Sequence, residues 1–277
     1  MRQQLKWLLF PGLNLHARER NRELPRYFTR PGADGQPKNV LDAGCGNGML
    51  SYQSYKLGNR VLGLSIKEGE VTRNSALFHD HLGCDRDRMR FQVQNLYKLE
   101  ELADQGPFDE IICTEVLEHI KGDRQVVDGF FELLAPGGSL LVTTPNAEHP
   151  WHASFPLDED ETGGHVRPGY TPQSYRELFE PAGFEVVEIS GLGGPVRQAV
   201  NNRIIRGEEA FGLSAAMAVF ALGGPLMMFD RGASKTPYSL LARLRKPAAS
   251  DAPETVDAST DLQAASDAPV GVAVSSS

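Results

Sequence analysis

The stretch that most constrains the fold is VLDAGCGNGML, residues 40–50. An apolar run there ends in Asp42, and glycines follow at positions 44, 46 and 48. Glycine tolerates positive φ and lets a ligand lie directly on the main chain, and a helix start after such a turn offers free N–H groups to an anion. The stretch predicts a strand, a ligand-binding turn and a helix. A dinucleotide fingerprint needs a small residue at position 49, where this chain has methionine, so a hydride-transfer enzyme is disfavoured.

Short apolar runs alternate with longer helix-like stretches between residues 39 and 190. Strands are predicted at NVLDAG, RVLGLS, RFQVQ, DEIICTE, SLLVTTP and FEVVEIS. Helices are predicted over roughly 47–58, 67–82, 122–135 and 172–182. This alternation is typical of βαβ units. We therefore predict a doubly wound α/β domain over residues 31–190.

The segment before this domain, residues 1–30, is basic and contains the apolar run WLLF. It carries seven Lys and Arg residues against two Glu residues. Two interpretations stay open. The segment is an amphipathic helix packed against the domain, or it is an anchor for anionic lipid or for a phosphorylated substrate.

The segment after the domain, residues 191–246, contains the uncharged run FGLSAAMAVFALGGPLMMF at 211–229. This length qualifies as a membrane-span candidate, but glycines and a proline interrupt it. An interfacial hairpin, a buried cap and a dimer surface are the alternatives, so we predict an apolar helical cap or a membrane-facing region. Residues 247–277 are rich in Ala, Ser, Asp and Pro, which predicts disorder.

The net charge and the cysteine content indicate which partners and which cellular compartment to expect. The net charge is −8, and five of these negative charges fall in 247–277, so the rest of the chain has no basic excess. A nucleic-acid partner is therefore not expected. Cys45, Cys84 and Cys113 lack metal or disulfide spacing, which predicts reduced thiols and a cytoplasmic location. Peripheral contact with the inner face of the membrane, through 1–12 and 211–229, stays open.

Four stretches in a fixed order carry a family resemblance: VLDAGCGNG, FDEIICTEVLEHI, LLAPGGSLLVTTPN and HVRPGYTPQSYRELFEPAGFEV. From about residue 39 to 190 the chain resembles the class I S-adenosylmethionine-dependent methyltransferases. The resemblance implies a Rossmann-like methyltransferase fold, with a mostly parallel seven-stranded sheet and helical additions at both ends. It also implies S-adenosyl-L-methionine as the cofactor. The positions that match the family's cofactor site are Asp42, Gly44, Cys45, Gly46, Gly48, Ser65, Asn95, Leu96 and Thr114.

Two of these positions depart from the family pattern. Members often carry acids where this chain has Ser65 and Asn95. Both side chains can hydrogen-bond as neutral groups, but charge-assisted contacts are lost. A weaker or differently posed cofactor is one interpretation, and a non-catalytic S-adenosylmethionine-binding module is another. Cyclopropane-fatty-acid-synthase-like members also have a hydroxyl residue at the first position.

The run TEVLEHI is the second chemical signal. If Glu115 opens a helical turn, then Glu118 and His119 lie on its side of the helix. Carboxylates and an imidazole at the carboxyl edge of a sheet can bind a divalent metal or move a proton. The spacing resembles the E-x-x-E-H of small-RNA 2′-O-methyltransferases and of ubiquinone-biosynthesis O-methyltransferases. Both families have a further histidine, and His165 holds that place.

This resemblance implies two overlapping sets of residues. The catalytic set is Glu115, His119 and His165. The metal set adds Glu118 and would hold Mg²⁺ or another divalent ion. An acid/base role without metal and a purely structural role are the alternatives.

The cofactor directs the choice of reaction. Its sulfonium is already a strong electrophile, so the protein must orient an acceptor and exclude water. A hydroxyl acceptor also gains from deprotonation. We therefore predict O-methylation of a small or lipid-linked hydroxyl compound. The alternatives are a cyclopropane-synthase-like enzyme acting on membrane lipid and the non-catalytic module.

Overall fold

The computed structural model describes residues 15–154, 156–230 and 234–248. The WLLF run and nearly all of the tail predicted to be disordered lie outside these residues.

The strands are β1 Asn39–Ala43, β2 Arg60–Ser65, β3 Met89–Val93, β4 Phe108–Thr114, β5 Leu134–Pro145, β6 Glu185–Leu192 and β7 Ser239–Arg245. They form one sheet in the order β3-β2-β1-β4-β5-β7-β6. Neighbours from β3 to β5 are parallel, and β7 is antiparallel to both its neighbours. The doubly wound, mostly parallel seven-stranded sheet is confirmed.

Helices follow most strands, as the alternation predicted. They are α1 Leu15–Glu23, α2 Met49–Lys56, α3 Glu68–Ser75, α4 Asp123–Leu133, α5 Pro150–Ala153, α6 Pro172–Phe179, α7 Pro195–Phe211 and α8 Leu213–Gly223. Short 3-10 turns lie at Leu24–Arg26, Leu96–Leu102, Leu117–His119 and Gly224–Phe229, and a π-helical turn follows α3. The four predicted helices correspond to α2, α3 with its π turn, α4 and α6.

The central strands are buried on both faces because helices cover the sheet on both sides. Leu41 and Ile111 pack in a core on one face, while their neighbours Val40 and Ile112 pack on the other. Successive side chains of a strand point to opposite faces, so an unbroken apolar run suits a strand covered twice. This arrangement fixes the carboxyl ends of β1, β2 and β4 along one edge.

The seven-stranded sheet implied by the resemblance is present, but the position of its seventh strand is not predicted from the residues. β7 lies inside 191–246, the segment predicted to be an apolar cap, and it inserts between β5 and β6. Its register pairs Leu141 with Arg243 on one side and Ile189 with Ala242 on the other. The sheet therefore extends beyond the predicted boundary at residue 190.

The apolar run 211–229 does not form one continuous helix. Gly212, at φ 79°, separates α7 from α8, and a 3-10 turn follows α8. Val200, Ile204 and Ala216 pack these two helices against Leu15 of α1. In the described part of the chain, none of the helices combines the length and the apolar character that crossing a membrane requires. Large apolar side chains remain exposed at Phe211, Leu213, Met217, Leu222 and Leu226.

Candidate active site

The turn after β1 has the backbone that its glycines allow. Gly44 has φ 84° and Gly46 has φ 52°. A Cβ on Gly44 would lie 2.4 Å from a methyl group of Val116, whereas a Cβ on Gly46 would meet no heavy atom within 4 Å. Gly44 is therefore needed for close packing, and Gly46 leaves bare backbone facing open space. The amides of Gly44 and Cys45 both donate to the carbonyl of Leu64, which holds the turn against β2.

A cavity of about 330 Å³ opens above this turn at the carboxyl edge of the sheet. The strand order reverses at β1, and open α/β sheets bind ligands at such a switch point. The volume is within the usual range for small-molecule sites. The residues that line it are Gly44, Gly46, Leu64, Ser65, Ile66, Lys67, Glu70, Gln94, Asn95, Leu96, Tyr97, Glu115, Val116, His119, Ile120, Glu161 and Gly163.

Five of the nine predicted cofactor positions line this cavity, and four do not. Gly44, Gly46, Ser65, Asn95 and Leu96 face it. The four that do not line it are Asp42 in β1, Cys45 and Gly48 in the turn after β1, and Thr114 at the end of β4.

Asp42 lies beneath the turn, buried to 1% exposure, and accepts a 2.5 Å hydrogen bond from the hydroxyl of Ser51. Burial raises the pKa of Asp42 to about 6, although the Ser51 hydrogen bonds oppose the shift. A charged side chain in this position contacts the first turn of α2 and not the cavity. The sequence predicts Asp42 as the end of a strand and as a cofactor ligand; Asp42 lies within β1, and it is not among the residues that line the cavity.

Glu70 is a cavity residue that the sequence analysis missed. The Ser65 hydroxyl donates to the Glu70 carboxylate at 2.7 Å and accepts from the Lys67 amide at 3.1 Å. Ser65, Lys67 and Glu70 all line the cavity. The carboxylate absent from the end of β2 is therefore supplied from the first turn of α3.

The outer wall of the cavity joins two segments that are distant in sequence. The Tyr97 hydroxyl donates to Glu161 at 2.6 Å and accepts from the Gly122 amide at 2.9 Å. Asn95 accepts from the Tyr97 amide at 3.0 Å, so its side-chain oxygen caps the 3-10 turn. Tyr97 and Glu161 carried no recognisable motif, because their pairing depends on the path of the loop 156–166.

Glu115 does not open a helical turn. Its φ of 54° is left-handed, and the helical residues that follow, Leu117–His119, form a 3-10 turn. The Glu115 carboxylate accepts from the Thr143 hydroxyl at 3.1 Å and lies 3.6 Å from the Arg20 guanidinium. The prediction that Glu115 and Glu118 share one helix side is wrong, because the spacing rule holds only for consecutive α-helical residues.

Glu118, His119 and His165 do come together. Potential ligand atoms of the three lie within 4.8 Å of one another, and the two imidazole rings are 4.7 Å apart. Glu115 is not a member of this group, so the structure brings together three of the four residues predicted to bind metal. The three lie where β4 ends, and His119 also lines the cavity.

The charge state of this cluster follows from its burial. Both carboxylate oxygens of Glu118 lack a hydrogen bond to any described residue, and the side chain is 1% exposed. Burial and the nearby charge of Glu115 raise the pKa of Glu118 well above its usual range. Burial, followed by the charge of His119, lowers the pKa of His165.

His119 is held in one tautomer. Its Nδ1 lies 2.8 Å from the carbonyl of Gly164, and because a carbonyl can only accept, Nδ1 carries the proton. The lone pair is therefore on Nε2, which lies 3.9 Å from Glu118. A backbone carbonyl on one imidazole nitrogen is a common way to orient the other toward a metal or a proton.

The sheet order, the glycine turn at its switch point and the cavity define a class I S-adenosylmethionine-dependent methyltransferase. Residues 16–189 match the model of a family described as a methyltransferase domain. The match covers more than half of the chain, so the chain belongs to this methyltransferase family.

Curated proteins with similar sequences are also methyltransferases. Over 164 residues the chain is 32% identical to the ubiquinone biosynthesis O-methyltransferase of Psychrobacter arcticus, covering 56% of this chain and 62% of that protein. Over 174 residues it is 28% identical to the mitochondrial enzyme of the same name from Mus musculus, covering 58% of this chain and 45% of that protein. The chain thus spans between two fifths and two thirds of these relatives' length. They favour neither the cyclopropane-synthase alternative nor the non-catalytic module.

A solved structure shows the same fold. The N-methyltransferase NodS of Bradyrhizobium japonicum, in complex with S-adenosylhomocysteine, has a TM-score of 0.53 and covers 87% of this chain and 91% of its own. Its sequence is only 17% identical. The likeness therefore supports the architecture and says nothing about the acceptor.

Proposed function

We propose that this chain is an O-methyltransferase that transfers the methyl group of S-adenosylmethionine to a ring hydroxyl of a small molecule. One observation carries the proposal: Glu115 and His119, which can accept a proton, line the same cavity as the glycine turn. Oxygen acceptors gain from such groups because deprotonation makes them better nucleophiles. The name of the curated relatives supports an oxygen acceptor and a quinone-like ring.

The cavity residues suit the cofactor. Bare backbone at Gly46 lets the methionine end lie against the main chain. Ser65 and Glu70 offer a hydroxyl and a carboxylate to the ribose hydroxyls, and Asn95 and Leu96, which also line the cavity, would contact the adenine. A carboxylate acceptor gives the stronger, charge-assisted hydrogen bond. Glu70 is therefore proposed as the ribose ligand.

The cofactor supplies a methyl carbon bound to a positively charged sulfur. The acceptor oxygen forms a bond to that carbon, and the carbon–sulfur bond breaks with its electron pair going to sulfur. The hydroxyl proton must leave the oxygen. His119 Nε2 has the lone pair to take it, since Nδ1 is occupied by the Gly164 carbonyl. Glu115, whose carboxylate contacts Thr143 and Arg20, lines the same cavity as His119.

A divalent ion fits the cluster of Glu118, His119 and His165. The buried Glu118 carboxylate lacks hydrogen bonds within the described residues, and an unsatisfied buried carboxylate is unfavourable unless something compensates it. The donor set of one carboxylate and two imidazoles is one that divalent metals accept. A bound ion would lower the pKa of a coordinated hydroxyl. His119 Nε2 would then be a ligand, which leaves Glu115 as the proton acceptor.

Methyl transfer to catechol with labelled S-adenosylmethionine tests the proposal. We expect O-methylated catechol from the wild-type chain, and a fall in kcat of about 100-fold for His119→Gln, within the usual range for a general base. Affinity for S-adenosylhomocysteine, measured by calorimetry, should be unchanged. His81→Gln, an exposed histidine outside the cavity, is the matched control. A product methylated on carbon, or equal activity of His119→Gln and the control, would overturn the proposal.

A further inference from the structure

A second cavity, of about 390 Å³, lies between α1 and α7. We call it the α1/α7 cavity. It is lined by His16, Ala17, Arg20, Glu115, Asn201, Ile204, Ile205, Glu208 and Tyr238. Nothing in the glycine turn or in the E-x-x-E-H run predicted it, because most of its residues belong to the two helical additions.

Glu115 lines both cavities. Its carboxylate lies 3.6 Å from the Arg20 guanidinium, and Arg20 belongs to the α1/α7 cavity alone. At this point the boundary between the two spaces is a pair of side chains. Side chains can change rotamer without unfolding a helix or strand. Only the Arg20–Glu115 ion pair therefore separates a molecule in the α1/α7 cavity, at this point, from the cavity above the glycine turn.

The walls of the cavity are fixed in place. The Leu15 amide donates to the Asn201 side chain at 3.2 Å, which ties the start of α1 to α7. Arg197, on α7, lies 3.3 Å from Glu19 on α1, and both side chains are largely buried. Breaking such a buried pair is strongly unfavourable. The cavity is therefore largely preformed, as small-molecule sites usually are.

The lining selects against anions. Burial, helped by the nearby His152, lowers the pKa of His16 to about 3, so His16 is neutral at physiological pH. The charged groups that remain are the Arg20 cation and two anions, Glu115 and Glu208. A carboxylate or phosphate ligand would find no net positive charge here.

The lining also contains apolar and aromatic side chains. Ala17, Ile204 and Ile205 line the cavity together with the charged groups, and the His16 ring stacks on Tyr238 with centroids 3.6 Å apart. A compound with an apolar body and a hydroxyl directed toward Glu115 would match this mixed lining. We propose that the α1/α7 cavity is the methyl-acceptor site, that it takes an uncharged hydroxyl compound, and that the Arg20–Glu115 pair separates acceptor from cofactor until both are bound. This inference rests on the proposed function.

Charge selection is the first test. Initial rates are measured with catechol, which is uncharged, and with 3,4-dihydroxybenzoate, which is an anion. Glu208→Lys should raise the ratio of kcat/KM for the benzoate over catechol by about tenfold, because it reverses a charge at the cavity. Glu209→Lys makes the same change at the next residue of α7, outside the cavity, and should leave the ratio nearly unchanged.

Filling the cavity is the second test. Ile205→Trp should raise the KM for catechol at least about tenfold, since the larger ring occupies the acceptor's space. Affinity for S-adenosylhomocysteine should stay the same, which shows that the variant is folded. Ala199→Trp adds the same ring to an exposed position of α7 and should behave like the wild type.

The outcomes separate this inference from the proposed function. If the wild type methylates catechol but Glu208→Lys and Ile205→Trp match their controls, the acceptor binds elsewhere and the inference is wrong. If the wild type methylates neither compound, O-methylation of ring hydroxyls fails, and the acceptor assignment fails with it.

Discussion

The Ser65 hydroxyl donates to the Glu70 carboxylate across 2.7 Å, so an acid carried by α3 lies beside the end of β2. The family pattern expects an acid at position 65 itself. Ser65 is a neutral side chain, but α3 brings the carboxylate of Glu70, five residues later in the chain, to the same position. A short side chain at the strand end gives the longer one from the helix room to approach.

The first prediction concerns this carboxylate. Glu70→Gln should weaken S-adenosylhomocysteine binding by about tenfold, because a charge-assisted hydrogen bond becomes a neutral one. Calorimetry measures the change. Glu68→Gln, in the same first turn of α3 but outside the cavity, is the control and should bind like the wild type. Equal affinities for the two variants would show that Glu70 does not contact the cofactor.

The second prediction concerns the glycine turn. Gly46→Ala and Gly35→Ala each place a Cβ in a left-handed backbone with no atom within 4 Å. Both should lower the free energy of unfolding by about 1–2 kcal/mol, the usual penalty for this conformation. Only Gly46→Ala should also weaken S-adenosylhomocysteine binding, at least about tenfold, since its methyl group would project from the cavity floor. If Gly35→Ala weakens binding as much, strain alone explains the effect.

The third prediction concerns the cluster of Glu118, His119 and His165. Mn²⁺ should raise the Tm of the wild-type chain, because an ion that binds only the folded state stabilises it. Glu118→Gln should abolish this rise. Without metal the same variant should be at least as stable as the wild type, since it neutralises a buried carboxylate that lacks hydrogen bonds from the described residues. Glu148→Gln, at an exposed position, should keep the full response to Mn²⁺. An unchanged Tm rise in Glu118→Gln would exclude this cluster as the metal site.

The fourth prediction concerns pH and Glu110 on β4. Glu110 is 1% exposed, and burial raises its pKa to about 7 although the Thr29 amide and Ser139 hydroxyl oppose the shift. The folded state thus holds this proton more tightly than the unfolded state, so its contribution to stability falls as pH rises from about 4.5 to about 7. The total is on the order of 3 kcal/mol.

Glu110→Gln removes that proton equilibrium. Its free energy of unfolding relative to the wild type should therefore increase between pH 5 and pH 8, as measured by urea unfolding. The glutamine oxygen can still accept from the Thr29 amide, as the glutamate does at 3.0 Å. Glu132→Gln, an exposed acid, should show no such trend. A constant difference between Glu110→Gln and the wild type across this pH range would contradict the assignment.

Short sequence patterns predicted the strands and helices whose formation depends mainly on neighbouring residues. The six strands from β1 to β6 and the helices α2, α3, α4 and α6 follow from runs of apolar residues broken by turn residues, whereas the short helix α5 is not predicted. SLLARLR gives only a weak strand pattern, because it is short, carries two arginines and follows the long uncharged run 211–229. Its place between β5 and β6 depends on pairing with residues far away in the sequence.

The residues of the candidate site also divide into those that a motif predicted and those that depend on the packing of distant elements. The glycine turn, His119 and His165 were predicted by motif. Glu115 was placed wrongly because its left-handed φ interrupts the helical spacing on which the inference depended. Arg20 and Glu70 carry no motif, and only the packing of α1 and α3 against the sheet makes them part of the site.

The antiparallel pairing of β6 with β7 has a consequence for how such a protein can diversify. Leu192 and Ser239 are register partners, so the chain leaves the sheet and returns to it at neighbouring backbone positions. Everything between them, including α7 and α8, is topologically an insertion in a hairpin. Insertions whose ends already lie side by side can change length and sequence at little conformational cost. Under the acceptor assignment proposed above, a lineage or an engineer could exchange this insertion and alter which compound is methylated, because it contributes residues to the α1/α7 cavity and, among the described residues, none to the cavity above the glycine turn.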